Sequence, residues 1–316
     1  MQRYIARRLI VAVFLLFVLS IVVFLLLRVA PGDARLFKCP PPCPKAQLDA
    51  IGERLGLNDP YIVQYGTWVK GMVTGSLGTS NEGLPIFPEI KRRMPITVEL
   101  LIITMVVTIV LGIPFGVISA IFRNSVADYF VRVTAIFGLS IPSFWFATMI
   151  LIVPLGLWGY APPLTGSVSF FDSPWDNLRQ FVPPAIALGA ASAAGVMRLT
   201  RSALLEVMRQ DYIRTARSKG LQEPVVIARH ALKNSMIPVV TVLGLQMAGL
   251  LGGAVIIEQI FALPGVGAYY FRALFTKDYQ VAQTLTLYVG AVVVLLNLLV
   301  DISYAWLDPR IRYSCG

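Results

Sequence analysis

The sequence predicts an all-α membrane protein with six transmembrane helices and both termini in the cytoplasm. Three observations carry this. Of 316 residues, 56% are hydrophobic and only 14% charged, with a mean hydropathy of +0.71. Ordinary soluble domains carry roughly 25% charged residues, so this chain could not cover a soluble surface and lipid must be its solvent. Six apolar segments, at 9–29, 96–121, 130–157, 182–199, 236–257 and 281–306, are each long enough to cross a hydrocarbon core of about 30 Å. None alternates with period two, and only helices or closed barrels satisfy their backbone in lipid, so the spans are helices. The expected organisation is a single transmembrane domain over residues 1–316.

Orientation follows from charge. The formal net charge is +10. Arg3, Arg7 and Arg8, then Arg123 and Arg132, then the arginines and lysines between Arg198 and Asn234, then Arg310 and Arg312 fall on one side of a six-span chain. Positive charge marks the cytoplasm. Lys91-Arg92-Arg93 dissents, but it belongs to the loop at 31–95, and loops beyond about 60 residues translocate largely regardless of charge. With that explanation in hand, and no basic patch interleaved with aromatics, no nucleic-acid partner is expected.

The first apolar run is longer than a typical leader, and Pro31 directly after Ala30 makes a poor cleavage site, so it reads as a retained span. The outer loop at 31–95 is the one candidate subdomain. Residues 46–55 have helical composition, Gly56-Leu57-Asn58-Asp59-Pro60 is a stop and turn, and 61–72 reads as an amphipathic surface helix with Tyr61, Tyr65 and Trp68 suited to an interface. Cys39 and Cys43 flank three prolines; a local disulfide and free thiols both remain open, since the prolines restrict the geometry. Three cysteines and one histidine (His230) assemble no zinc set of usual spacing, so no metal site is expected. Pro114, Pro142 and Pro154 interrupt spans, which fits an internal path or ordinary kinked packing.

The cytoplasmic connection at 200–235 is the most informative stretch. Residues 200–219 are rich in helix formers, Gly220 can end that helix in a left-handed conformation, and Pro224 suits the first turn of the next. A helix-turn-helix elbow is expected, with Tyr212, Ala216 and Gly220 on one face and Arg214, Arg217 and Lys219 able to reach acidic surface. A solvated basic loop is the alternative reading. The fifth span carries Gly249, Gly252 and Gly253 with Gln246 and Glu258, which fits either a translocation path and permease interface or packing inside the subunit. Pro264 and Gly265 make a tight outer turn. Asn297 and Asp301 share a face of the last span; Asp301 near its end is read as an ion-pair partner rather than an ion site. There is no nucleophile–base constellation, so no catalytic residue is assigned.

Asp211-Tyr212-Ile213-Arg214-Thr215-Ala216-Arg217-Ser218-Lys219-Gly220-Leu221, followed by Arg229-His230-Ala231-Leu232-Lys233-Asn234 and Pro238, resembles the EAA loop of ABC-importer permeases. The opening Arg3-Tyr4-Ile5-Ala6-Arg7-Arg8-Leu9, Pro31-Gly32-Asp33, Gly56-Leu57-Asn58-Asp59-Pro60, Gly75-Ser76-Leu77-Gly78, Pro264-Gly265-Val266-Gly267 and Leu307-Asp308-Pro309-Arg310-Ile311-Arg312 resemble the B-type permeases of dipeptide, oligopeptide and nickel importers, in that family's order. The resemblance implies a type I ABC-importer permease fold with a cytoplasmic coupling helix. Asp211, Tyr212, Ile213, Thr215, Ala216, Lys219, Gly220 and Leu221 would dock the ATPase. One departure is plain: Thr215-Ala216-Arg217 stands where the family's Glu-Ala-Ala would be.

The chain has no Gly-x-x-x-x-Gly-Lys-Ser/Thr phosphate loop. It is therefore expected to hold no cofactor and to be no enzyme, with ATP and Mg bound by separate subunits. By resemblance the partners are a second permease, two cytoplasmic ABC ATPases, an extracytoplasmic solute-binding protein that delivers di- or oligopeptides, and the lipid of a bacterial-type plasma membrane. The outer turn at Pro264 and Gly265 reads equally as a scoop-like cover or docking ridge for the binding protein and as a mere tight turn. Nickel, glutathione or oligosaccharide are family alternatives as substrate. An ion-coupled secondary transporter is the rival class, with Glu99 and Asp301 as its thin support.

Overall fold

A computed structural model describes residues 2–29, 42–54, 58–163 and 166–307, and among these the chain is helical throughout apart from turns and one isolated bridge between Thr79 and Pro85. The helices are α1 (Gln2–Val29), α2 (Lys45–Arg54), α3 (Tyr61–Thr74), α4 (Ile86–Ile121), α5 (Val126–Ser140), α6 (Ser143–Trp158), α7 (Pro174–Val207), α8 (Asp211–Ser218), α9 (Leu232–Ile260), α10 (Val266–Phe275) and α11 (Tyr279–Leu307). A short turn, Glu223–Val225, and a π-helical turn, Val226–Ala231, run straight into α9. Pro31-Gly32-Asp33, Cys39, Gly56-Leu57, the closing Asp308–Arg312 motif (residues 308–312) and the side chain of Asp301 lie outside the described residues. Cys43 is disulfide-bonded.

Among the described residues five helices are long and apolar enough to cross a membrane, and the pair α5 and α6 supplies a sixth candidate. The third span is therefore not the single helix expected over 130–157: its two halves bend by 106° at Ile141-Pro142. The cause is local. Pro142 has no N–H to donate, and its ring drives the preceding residue out of the helical region; Ile141 is extended at φ −86°, ψ 124°. The second span also differs, since α4 begins at Ile86 rather than near 96. Its extra turns carry the dissenting basic cluster, where Glu89 accepts from Arg92 Nη2 at 2.8 Å and Arg93 Nε at 3.0 Å.

The expected single domain resolves into two compact units, because the first and last helices pair with each other. One unit is Met1–Thr97 with Pro264–Gly316. In it α1 packs along α11, closely enough that a side chain at Gly290 would collide with Leu19. The surface helix α3 lies against α1 through Tyr65 and Ser20, whose hydroxyls sit 2.7 Å apart, and an edge-on contact between Phe24 and Tyr65. The outer segments close over an apolar cluster of Ile86, Ile90, Val266, Ala273, Val281, Ala282 and Leu285. Asp278 accepts the backbone N–H of Asn81 at 2.6 Å, and Arg272 pairs with Glu82.

The other unit is Val98–Leu263, with α7 at its centre. In α7, 61% of the most apolar window is buried, against 22–28% in the other four spans. The same window has the lowest hydropathy of the five, 1.3. The two facts have one cause: α7 meets protein rather than lipid, and small residues that let backbones approach replace large apolar ones. Gly112 and Gly116 of α4 lie against Val196, Met197 and Thr200 of α7, where an added Cβ would come within 2.6 Å of a side-chain carbon. Gly138 of α5 meets Ala190 and Ala194 in the same manner. At the outer end Asn177 donates to Glu99 at 2.7 Å and to the Val168 carbonyl at 2.7 Å, while Gln180 donates to the Gly166 carbonyl at 2.9 Å. Glu99, considered above as a possible ion-coupling group, is thus a partner of Asn177 that joins α4 to α7.

At the opposite end Asp128 is completely buried. It accepts from Arg201 Nε at 2.9 Å and Nη2 at 3.0 Å, from Ser119 Oγ at 2.5 Å and from the Asn124 N–H at 2.9 Å. Three elements (α4, α5 and α7) are fastened by one carboxylate. Breaking a buried pair by removing one partner costs about 3–5 kcal/mol, because the remaining charge stays buried without compensation. Asp128→Asn is expected to lower the thermal unfolding temperature of the detergent-solubilised protein strongly, and Asp128→Asn with Arg201→Gln to recover part of the loss. Equal losses in the single and double variants would show that the pair is not coupled.

Candidate functional site

The cytoplasmic elbow is built in four steps. α7 ends at Val207 rather than continuing to residue 219, because Gln210 turns extended at φ −71°, ψ 149° and starts a new helix. α8 then runs over Asp211–Ser218, with Asp211 in its first turn and Arg217 in its last, the charges that suit a helix dipole. Its end is a Schellman motif: Gly220 N–H donates to the Arg217 carbonyl at 2.9 Å and Leu221 N–H to the Ala216 carbonyl at 3.4 Å. Gly220 takes φ +77°, the left-handed conformation expected from the sequence. Pro224 then sits in the first turn of the returning helix.

An eight-residue helix is too short to hold itself together in water. Here Ile213 (fully buried) and Ala216 seat it on Ala120, Leu204, Val226 and Ala231. The π turn is part of this seat. Its i→i+5 bonding stacks residues five apart, and the Leu232 N–H donates to the Ile227 carbonyl in that pattern. Val226 and Ala231, five apart, thereby both face the underside of α8 and are fully buried. Two polar ties complete the elbow. Asn234 Nδ2 donates to Tyr212 Oη at 3.0 Å. Arg217 donates through Nε and Nη2 to Glu223 at 3.0 and 2.6 Å, and these bonds hold the Glu223 carboxyl below its ordinary range.

The docking residues expected from the sequence are therefore split between two faces. Ile213 and Ala216 are buried in the chain's own core, so the small face reserved for a partner is used internally. Asp211, Tyr212, Thr215, Lys219, Gly220 and Leu221 remain exposed. Arg217, expected to reach outward, is committed to Glu223. Sequence reading missed Glu223 and the buried Asp128. Ser125-Val126-Ala127-Asp128 does carry a capping signal: Ser125 Oγ accepts from the Asp128 N–H at 3.3 Å.

The fifth-span set divides as well. Gly249 and Gly252 lie on an open face of α9 beside exposed Leu245 and Ile256. Gly253 is pressed on Leu188, and Glu258 is fully buried. Gln246 has a buried Oε1 without a hydrogen-bond partner among the described residues. The outer turn at Pro264 and Gly265 stands at the chain boundary between the two units, and Val266 N–H donates to Thr97 Oγ1 at 2.9 Å.

Comparison with known proteins places this geometry. Residues 112–313 match the family described as "Binding-protein-dependent transport system inner membrane component", and residues 1–101 match its N-terminal companion, "Binding-prot-dependent transport system membrane comp, N-term". The dipeptide transport system permease protein DppB of Alkalihalophilus pseudofirmus is 40% identical, covering 99% of this chain and 100% of that protein. The oligopeptide transport system permease protein AppB of Bacillus subtilis is 38% identical over the same shares. A chain of the MetNI methionine ABC transporter, solved in inward-facing conformations, superposes with a TM-score of 0.58 at 17% identity, over 71% of this chain and 98% of that one. The chain belongs to the family of binding-protein-dependent transport system inner membrane components: it is a multi-pass permease subunit of an ABC importer, a transport component and not an enzyme.

Proposed function

We propose that this permease pairs with a second homologous permease to form a path for di- or oligopeptides, and that two cytoplasmic ATPases drive it through α8. An extracytoplasmic solute-binding protein delivers the peptide, ATP and Mg reside in the ATPases, and the assembly sits in a bacterial plasma membrane. The carrying observation is the elbow itself. A helix seated by two buried residues presents Asp211, Tyr212, Thr215, Lys219 and Leu221 outward, at the end of a helix that runs without a long linker into α7. The peptide assignment rests on relatives of about 40% identity over the whole chain that carry dipeptide and oligopeptide permease names. The open glycine face of α9, with Gly249 and Gly252, is the surface offered to the second permease, and Pro264 and Gly265 lie in the turn offered to the binding protein.

In operation, nucleotide binds the closed ATPase pair better than the open one. That difference in affinity moves the permeases between inward- and outward-facing states. The elbow converts the approach of two ATPases into movement of α7 and α9, because both helices end in its apolar cluster.

Three outcomes are expected. A cysteine placed at Asp211, which is almost fully exposed, will cross-link to the ATPase subunit in inverted vesicles; a cross-link formed only from the outside would reverse the topology. Gly220 has no atom within 4 Å of an added Cβ, so the cost of substitution there is conformational and not steric. Gly220→Val forces a β-branched residue into the left-handed region at roughly 1–2 kcal/mol or more, and ATP-dependent peptide uptake will fall while Gly220→Asn, which tolerates that region, retains it. If both variants transport equally, the elbow does not couple. Finally, the lowered Glu223 carboxyl contributes above the ordinary glutamate pKa of about 4.3 and is lost only as pH falls through its folded value. Glu223→Gln will therefore raise protease sensitivity of the elbow by the same small factor at about pH 6 and about pH 8, as suits a half-exposed pair worth under ~1 kcal/mol.

A further inference from the structure

A cavity of about 720 Å³ opens between α5 and α7 at the cytoplasmic end of the bundle. Arg132, Arg198 and Arg201 line one part of it with Ser202, and Ile136, Leu139 and Leu199 line the rest. The charges do not cancel. Arg201 is held by Asp128, and Arg132 approaches the same carboxylate only to 3.7 Å. The Arg132 guanidinium lies 4.5 Å over the ring of Tyr129, and its buried Nε has no hydrogen-bond partner among the described residues. Arg198 is exposed and makes no ion pair with any described residue. Of the three guanidinium groups, Arg201 engages the Asp128 carboxylate, Arg132 only approaches it and Arg198 does not pair with it, so positive charge is left over beside an apolar wall that continues along the exposed Val133, Ile136 and Phe137 of α5.

We infer that this cavity binds an anionic phospholipid of the inner leaflet, with the headgroup phosphate on Arg132 and Arg198 and an acyl chain along Ile136, Leu139 and Leu199. Charge complementarity selects the headgroup: a net positive site of this kind at the cytoplasmic boundary sits where the membrane itself is negative. The apolar wall selects a lipid over a free anion, because only a lipid presents phosphate and hydrocarbon together. Ser202 Oγ donates its hydrogen to the Leu199 carbonyl at 3.0 Å, which leaves its lone pairs at the rim to accept from a hydroxyl of the headgroup. The buried Asp128 keeps Arg201 fixed and so sets one wall of the cavity without itself facing the ligand. The site is separate from the elbow face offered to the ATPase.

Native mass spectrometry of the full chain, purified in detergent with its partner subunits and titrated with phosphatidylglycerol or phosphatidylcholine, tests the assignment. The expected result is preferential retention of phosphatidylglycerol, with affinity lowered about fivefold by Arg198→Gln and again about fivefold by Arg132→Gln. Arg198→Gln removes no described ion pair, so its unfolding temperature should match the wild type and it carries the test if Arg132→Gln folds poorly. Equal binding of the two lipids, or unchanged phosphatidylglycerol retention in Arg198→Gln, overturns the inference. Inorganic phosphate that displaces the lipid at comparable concentration would make the site one for a soluble anion. Loss of the second permease from the Arg198→Gln complex would make it a subunit contact. Either result excludes the lipid.

Discussion

The close approach of helices around α7 is the constraint on which the rest of the Val98–Leu263 unit depends. In lipid there is no hydrophobic drive to bring one span to another, since hydrocarbon tails solvate apolar side chains as well as a neighbour does. Association must come from backbone-to-backbone packing and from polar ties. α7 provides both. Its alanines and glycines admit α4 at Gly112 and Gly116 and α5 at Gly138, and Asp128 and Asn177 fasten the two ends. A larger residue along those seams would separate the helices and expose Thr104, Thr108 and Thr200, whose hydroxyls are buried in the seam.

The same helix explains why the elbow has a defined position. α7 ends at Val207 with Leu204 fully buried beneath α8, and the returning chain brings Val226 and Ala231 to the same spot through the π turn. Burying a side chain such as Ile213 contributes roughly 1.5–3 kcal/mol, whereas the half-exposed Arg217–Glu223 pair contributes under ~1 kcal/mol. The seat is thus apolar, and the ion pair trims its geometry. The charges of this basic loop are left largely for the outer face, where screening by salt matters and where a partner can use them.

Much of this was legible from the residues alone. Hydropathy picked out the apolar runs in which the long helices lie, and Gly220 and Pro224 announced a turn with a left-handed residue and a helix start. What could not be read was which face of α8 turns inward. Tyr212, Ala216 and Gly220 recur every four residues, and so do positions on the opposite side. The choice is made by Ala120, Leu204, Val226 and Ala231, which come from three other elements. The single-helix reading of 130–157 failed for a related reason. A proline inside a membrane helix can be accommodated or can break it; at Pro154 α6 continues, while at Pro142 the chain turns by 106°. The difference lies in the flanking residue and the packing available to each half, with Ala135 and Val131 of α5 buried on α7 and Ala147 buried in α6. Asp128 hid for the opposite reason: a lone acid in a basic connection looks like a surface residue until Arg201, far along the chain, closes over it.

The seating of α8 also bears on how movement passes through the molecule. A short helix held by charged contacts would slide and re-pair under load, because exposed ion pairs are weak and exchange partners. A helix held by two side chains in a close-packed apolar pocket has no intermediate positions of similar energy, since packed interiors resist small displacements. Ile213 and Ala216 touch residues that belong to α4, α7 and the π turn before α9. A force on the outer face of α8 is therefore delivered to all three together, without a flexible link to absorb it. The π turn belongs to this seat through its bonding register, since reversion to α-helix would swing Val226 and Ala231 onto different faces and take one of them from beneath α8.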